Sequence, residues 1–302
     1  MYMPEKTTNE SNVPAVSNEM LNKVQKLLGA SSSVEAADRL PQLKVNPKKK
    51  DKQGRRVPEG HFFVQGIEDQ SELVYAESIN LRVLSQLFQW ILYDPEQNKV
   101  ANKTILIPNF GHEPRDMKGT LRCGKPTSKD LRELPKATQA KYSDIRCFRQ
   151  LRGLVSYSGV TADKEKVTLE NVPCILLLKG SNFSPFYDDV EKTMPQGKQF
   201  YDYNIKVTAE ERENGSVTYY VMRFNPEYSA PLTLDTPVID SMMHFAKMVT
   251  NENNKIEAAY NKSLGATSSV QKAVDNLALS ALDQDFDSEE DFDDVYAEVV
   301  NQ

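Results

Sequence analysis

The chain holds 302 residues, 39% of them apolar, with 37 Lys and Arg set against 43 Asp and Glu, which is enough for one large domain or two small ones plus unstructured ends. It contains no run of about 18 apolar residues and opens without the basic-then-apolar order of a secretory signal, so neither a membrane span nor secretion is expected. The net charge of −6 averages two regions: residues 283–302 carry nine acids and no Lys or Arg, and without them residues 1–282 stand at +3, a mildly basic body with an acidic tail.

Residues 1–16 are polar and read as disordered. A short helix follows, with Ser17 or Asn18 as cap, Met20, Leu21, Val24, Leu27 and Leu28 at helical spacing, and Gly29 as stop. Residues 1–38 are thus an arm suited to docking or partner binding. From about Leu40 the pattern changes to short extended runs rich in β-branched and aromatic residues, at 43–45, 61–67, 73–79, 83–93, 103–107, 144–157, 172–179, 200–208 and 217–224. The last two form a hairpin, in which Tyr201, Tyr203, Ile205 and Val207 alternate with polar residues, Asn214-Gly215 supplies a type I′ turn, and Val217, Tyr219 and Val221 alternate on the return. Helical insertions are expected at 128–141, broken by Pro135, and at 184–194. A longer helix from Thr236 to about Asn261 places Val238, Met242, Phe245, Val249 and Ile256 on one face. The fold class is mainly β (α+β), an OB-like Greek-key barrel over residues 39–262 with helical insertions and a C-terminal helix, followed by a flexible linker and acidic tail over 263–302.

Little in the chain points to catalysis. His61, His112 and His244 stand apart, and H-E-x-x-H, G-x-S-x-G and P-loop signatures are missing, so acyl transfer, zinc hydrolysis and nucleotide hydrolysis have no support. Cys123, Cys147 and Cys174 are widely spaced, which argues against a disulfide framework or zinc ribbon and for a reducing cytoplasm. A zinc site of His112, Cys123 and Cys147, or a magnesium-dependent nuclease site of Asp188, Asp189 and Glu191, is outweighed by plainer readings: buried thiols, and acids favoured at the start of a helix. The chain reads as a non-enzyme that needs no cofactor or metal.

Basic residues cluster twice. The loop at 44–56 carries Lys44, Lys48, Lys49, Lys50, Lys52, Arg55 and Arg56 against Asp51 alone. Residues 115–152 hold eleven cations, Lys118, Arg122, Lys125, Arg146, Arg149 and Arg152 among them, against four acids. Aromatic residues are interleaved: strand alternation puts Phe88, Trp90 and Leu92 on one face with Arg82, and Phe148 sits between Arg146 and Arg149. Tyr201, Tyr203, Tyr219 and Tyr220 are too many phenols for one hairpin to bury, so at least one is expected to face a ligand or partner. Cations along a groove with exposed rings are what a single-strand nucleic-acid binder needs. Each ring taken alone is more often core than ligand-facing.

Taken together, this basic, aromatic-bearing β body, a linker and the tail Asp283, Asp285, Phe286, Asp287, Glu289, Glu290, Asp291, Phe292, Asp293 and Asp294 resemble the single-stranded DNA-binding proteins of tailed bacteriophages. The segments 39–46, 122–125 and 179–183 are also similar to phage proteins. The resemblance implies sequence-tolerant binding of single-stranded DNA in phage replication or recombination, in the cytoplasm of the infected bacterial host. It further implies that the tail recruits DNA polymerase and helicase-primase and competes with DNA for the groove, Phe286, Phe292 or Tyr296 supplying its apolar contact. A homodimer is an open option, and no membrane partner is expected. The rival reading is a phage structural or assembly protein acting through protein contacts alone. On the first reading the two basic segments line one continuous groove with exposed rings, and on the second they form scattered patches.

Overall fold

A computed structural model describes residues 39–67 and 72–265. The expected arm at 1–38, most of the linker and the whole acidic tail lie outside the described residues. Eight strands carry the fold: β1 (Gln42–Val45), β2 (Phe62–Gln65), β3 (Ser78–Asp94), β4 (Lys99–Lys103), β5 (Ile145–Val160), β6 (Lys166–Leu178), β7 (Ile205–Asn214) and β8 (Val217–Pro226). They form one sheet in the order β2-β1-β6-β5-β3-β7-β8, with β4 paired to the far end of β3. All pairings are antiparallel except β1 with β6. Bridges from Phe62 to Ala76 and from Tyr75 to Val160 draw β2 against the segment leading into β3 and the end of β5, so the sheet curls round on itself. The fold is mainly β, as the sequence indicates.

The core fills the enclosed face. Leu43, Phe62, Val64, Ile79, Leu81, Val83, Leu151, Val155, Leu176, Ile205, Val207 and Phe224 pack there, with Val190 from the helical turn Tyr187–Glu191 and Phe186 from the residue just before it. Close strand approach depends on Gly153, where an added Cβ would fall on the carbonyl of Arg82. Overpacking of this kind costs about 1–3 kcal/mol. Gly153→Ala is therefore expected to lower the urea midpoint without changing the slope of the unfolding transition, measured by circular dichroism.

Five local differences from the sequence reading have identifiable causes. The expected strand at 73–79 forms only bridges before β3 starts at Ser78, and the one at 103–107 is displaced to β4, because Thr104 and Ile107 pair only through isolated bridges, to Asp116 and to Phe88 of β3. The strand expected from Phe200 begins at Ile205, since Gln199 and Asp202 cap a 3-10 turn over Phe200–Asp202. The hairpin β7–β8 turns on Gly215-Ser216, flanked by the pair Asn214 and Val217. Gly215 has φ of 61° while Ser216 is not in the left-handed region, so the turn is not type I′, which requires both, and follows the Gly-first pattern instead.

The fifth difference matters most. The β3–β5 register shifts between Val83 and Ser85, and one extra residue reverses the alternation. Leu81 and Val83 face the core, and beyond the bulge Gln86, Phe88 and Trp90 take over that face. Arg82 is thereby parted from the Trp90 face and instead donates to the carbonyls of Tyr201 (3.0 Å) and Thr233 (2.8 Å).

The helical insertion at 128–141 resolves into α1 (Ser128–Glu133) and α2 (Lys136–Ala140), separated at Pro135 as the sequence indicates. The long helix α3 (Thr236–Gly265) starts where Asp235 accepts from the Val238 amide at 3.1 Å and Pro237 occupies the first turn. Val238, Phe245 and Ile256 are buried along it, with Met242 packed beside them. It covers the sheet face opposite the core, over Leu84 and Leu154.

Candidate nucleic-acid interface

The first basic segment is a tongue between β1 and β2. Its hairpin is closed by Asp51 N–H to Arg55 O (3.0 Å) and Val57 N–H to Lys49 O (3.0 Å), with Gly54 at φ 81° turning the tip. Arg55 pins the tongue: its guanidinium meets Asp51 at 2.8 Å, Glu72 at 2.6 Å and Asp163 at 2.9 Å. Hydrogen bonds to Glu72 and Asp51 push its pKa up. Burial opposes ionisation of Asp51, yet Arg55 holds both that carboxyl and Glu72 below the usual carboxylate range. Arg55 is thus neutralised by three acids, which corrects its assignment as a phosphate ligand. Lys48, Lys49, Lys50, Lys52 and Arg56 remain exposed, Lys49 lying 3.5 Å from Glu59. Beneath the tongue is a cavity of about 450 Å³, walled by Phe63 and Tyr75, whose rings are 5.8 Å apart.

The second segment divides. On the face covered by α3, Phe148 packs with Ile91, Val100 and Leu177, and Arg152 reaches Glu252 at 3.1 Å. On the other face Arg149 is enclosed, bonded to Gln86 (2.7 Å) and Glu191 (2.5 Å), with its guanidinium carbon 5.2 to 5.6 Å from the ring centres of Phe88, Phe183 and Phe186. Phe148, Arg149 and Arg152 are 3 to 4% exposed, so their assignments as base or phosphate contacts are also corrected. The interleaved pattern is a strand buried on both faces.

What remains accessible gathers around Trp90. The turn Arg122–Gly124 holds three successive residues in the left-handed region, at φ 52°, 56° and 83°, an unusual backbone of the kind that recurs at functional sites. The turn is fastened to β3, with Cys123 Sγ 3.5 Å from the Trp90 carbonyl. Arg122 Nε donates to the Lys125 carbonyl at 3.2 Å, and Lys125 Nζ donates to the Ile145 carbonyl. Burial and then the like charge of Arg146 lower the Lys125 pKa. Cys147 stands opposite Trp90 in the register, and Lys118 is exposed on the preceding loop.

A row of rings runs along the same face. Phe183 and Phe88 are 6.0 Å apart, Phe88 and Phe110 4.3 Å, and Phe110 and Trp90 5.7 Å with an edge-on geometry. Phe110 is 57% exposed and Trp90 and Phe183 are half-buried. Sequence reasoning missed Phe110 and Phe183, since neither lies in an alternating run; Pro108 and Gly111 beside Phe110 mark only a loop.

The remaining candidates fall elsewhere. Tyr203 is buried edge-on to Tyr228 at 5.0 Å, and its assignment as a base contact is corrected by that packing. Tyr201 packs against the cluster under α3, while Tyr219 and Tyr220 are half-buried on β8. Asp189 accepts from Arg223 (3.0 Å) and the Phe224 amide (3.1 Å), and Glu191 is taken by Arg149. Burial pushes Cys123, Cys147 and Cys174 up to about 12, which leaves these thiols protonated at neutral pH and poor as nucleophiles. Among the described residues no cluster of three or more His, Cys, Asp or Glu is placed to hold a metal, and no helix is long and apolar enough to cross a membrane.

The two basic groups lie at opposite ends of β5. The tongue is tied to Asp163, just beyond the end of β5, and the Trp90 group lies at its start. The chain matches no protein-family model, no curated protein and no solved structure.

Proposed function

We propose that the protein is a non-catalytic, sequence-tolerant binder of single-stranded DNA acting in phage replication or recombination, its curled sheet an OB-like Greek-key barrel. One observation carries this reading: a row of four rings, one of them 57% exposed, ending at Trp90, whose carbonyl meets Cys123 of the Arg122–Gly124 turn. Rings supply sequence-tolerant stacking and cations track phosphates, the combination single-strand binders use. The tongue lysines Lys48, Lys50 and Lys52 form a separate basic group at the other end of β5, the scattered arrangement that the assembly reading predicts, so the single-strand reading rests on the ring row. A strand touching both groups runs the length of β5, whose 16 residues span about 50 Å. The acidic tail at 283–294 supplies the competitor and the partner contact for polymerase and helicase-primase in the infected cell's cytoplasm.

Fluorescence anisotropy with labelled oligo-dT tests this. Log affinity is expected to fall linearly with log salt, by about 0.7 per neutralised phosphate, and a chain ending at Leu282 is expected to bind more tightly. Salt-independent binding, or none by either form, overturns the reading. The assembly alternative has its own support in Leu234, Ile239 and Met243, which are 43 to 67% exposed at the start of α3 and before it. That reading predicts self-association without oligonucleotide binding, measured by sedimentation.

A further inference from the structure

We infer that the cavity under the β1–β2 tongue is a subsite for a single nucleotide unit, gripping its phosphate with the tongue lysines and its base against Phe63. The inference deepens the nucleic-acid reading and rests on it for the source of the nucleotide. Three features of the cavity carry it.

The first is the balance of charge. Five cations line the cavity, Lys44, Lys48, Lys50, Lys52 and Arg55, against two acids, Asp51 and Glu72, both of which pair with Arg55. Lys50 and Lys52 have no ion-pair partner among the described residues. The field that an entering ligand meets is therefore cationic, and a phosphate is the complement.

The second is preorganisation. Asp51 accepts from the amides of Gln53 (3.0 Å) and Arg55 (2.8 Å), and Asn46 donates to the carbonyls of Lys48 (2.8 Å) and Pro58 (2.7 Å). These bonds fix the tongue backbone, so binding has to order the lysine side chains but not the loop that carries them.

The third is the wall. Phe63 is half-buried and lines the cavity, its ring 5.8 Å from that of the buried Tyr75, and Gln65 is a further lining residue. A site for a bare anion has no use for an aromatic wall, whereas a base stacks on one. At about 450 Å³ the space is that of a small-molecule site and not of a single ion.

Calorimetric titration of the full chain with thymidine 5′-monophosphate, thymidine and inorganic phosphate tests the proposal. The monophosphate is expected to bind at least fivefold more tightly than either fragment, the lower end of what one stacked base contributes. The double charge reversal Lys50→Glu with Lys52→Glu, on exposed positions, is expected to weaken the monophosphate at least tenfold. Phe63→Ala is expected to bring it down to the affinity of inorganic phosphate. Equal binding of phosphate and nucleotide, absence of nucleotide binding, or indifference to the lysine reversal overturns the subsite. Should Phe63→Ala fail to fold, the lysine variant and the fragment comparison still decide. Oligo-dT anisotropy on the same samples separates the two claims: nucleotide binding without oligonucleotide binding sinks the single-strand reading and leaves the subsite standing, while the reverse sinks the subsite alone.

Discussion

Glu252→Ala is expected to destabilise the fold by about 3 kcal/mol, because Glu252, its own side chain 21% exposed, is the counter-charge of two buried cations that its loss leaves unpaired. Glu252 is carried by α3 onto the sheet, where Lys103 Nζ lies at 3.4 Å and Arg152 at 3.1 Å, their side chains 1% and 4% exposed. Gln89 joins the group, bonded to Glu252 (3.3 Å) and Gln150 (2.8 Å). Truncating the acid strands two cations that pair with no other carboxylate among the described residues, so the penalty exceeds that of an exposed pair, about 0–1 kcal/mol. In a domain of this size each kcal/mol shifts the melting temperature by about 2–4 °C, giving a fall of about 6–12 °C by calorimetry. The pH dependence has a definite sign. Burial opposes ionisation of Glu252, but Lys103 and Arg152 outweigh it and hold the carboxyl below its ordinary 4.5. Its contribution is complete above pH 4.5 and disappears as pH falls through the depressed value. The stability gap between the native chain and Glu252→Gln should therefore close on acidification, and a gap that stays constant from pH 7 to pH 3 would refute the pairing. Replacing all three ionic groups with apolar residues of similar volume should be close to neutral.

Much of the fold is legible because alternation and punctuation are local signals. The β7–β8 hairpin, the break at Pro135 and the apolar stripe of α3 all follow from spacing alone. The lower half of α3 is different: Asn251, Glu252, Asn253 and Asn254 read as solvent-facing, yet Asn253 exchanges two hydrogen bonds with the Leu106 backbone (2.7 and 3.0 Å) and Glu252 anchors the helix. Polar docking leaves no hydrophobic periodicity to read. The same limit hides the fate of the second basic segment. Arg149 and Arg152 look like surface cations, but the bonds that bury them come from residues 42 and 100 positions away in the chain. A single inserted residue at the Val83–Ser85 bulge then decides which side chains share a face with Trp90. Of the candidate interface, the exposed tongue lysines and Trp90 are legible in the sequence, while Phe110, Phe183 and Phe63 become apparent only once the chain is folded.

Phe110→Ala is expected to weaken oligo-dT binding by about 5- to 140-fold, since a base stacked on one aromatic residue contributes about 1–3 kcal/mol and 1.4 kcal/mol is tenfold. Phe110 is the most exposed member of the ring row and bridges Phe88 at 4.3 Å to Trp90 at 5.7 Å. Its loop position means that truncation should alter unfolding by no more than about 0.5 kcal/mol, which separates an effect on stacking from an effect on folding. Adding Trp90→Ala should weaken binding further, though less than additively, because the two rings touch. The salt dependence distinguishes rings from cations. Phe110 carries no charge, so its removal lowers affinity equally at every salt concentration and leaves the slope unchanged. Lys118→Glu and Arg122→Glu, by contrast, should flatten the slope by about 0.7 for each phosphate no longer neutralised. If Phe110→Ala leaves the affinity untouched while the charge reversals abolish it, binding is purely electrostatic and the stacking row has no part in it.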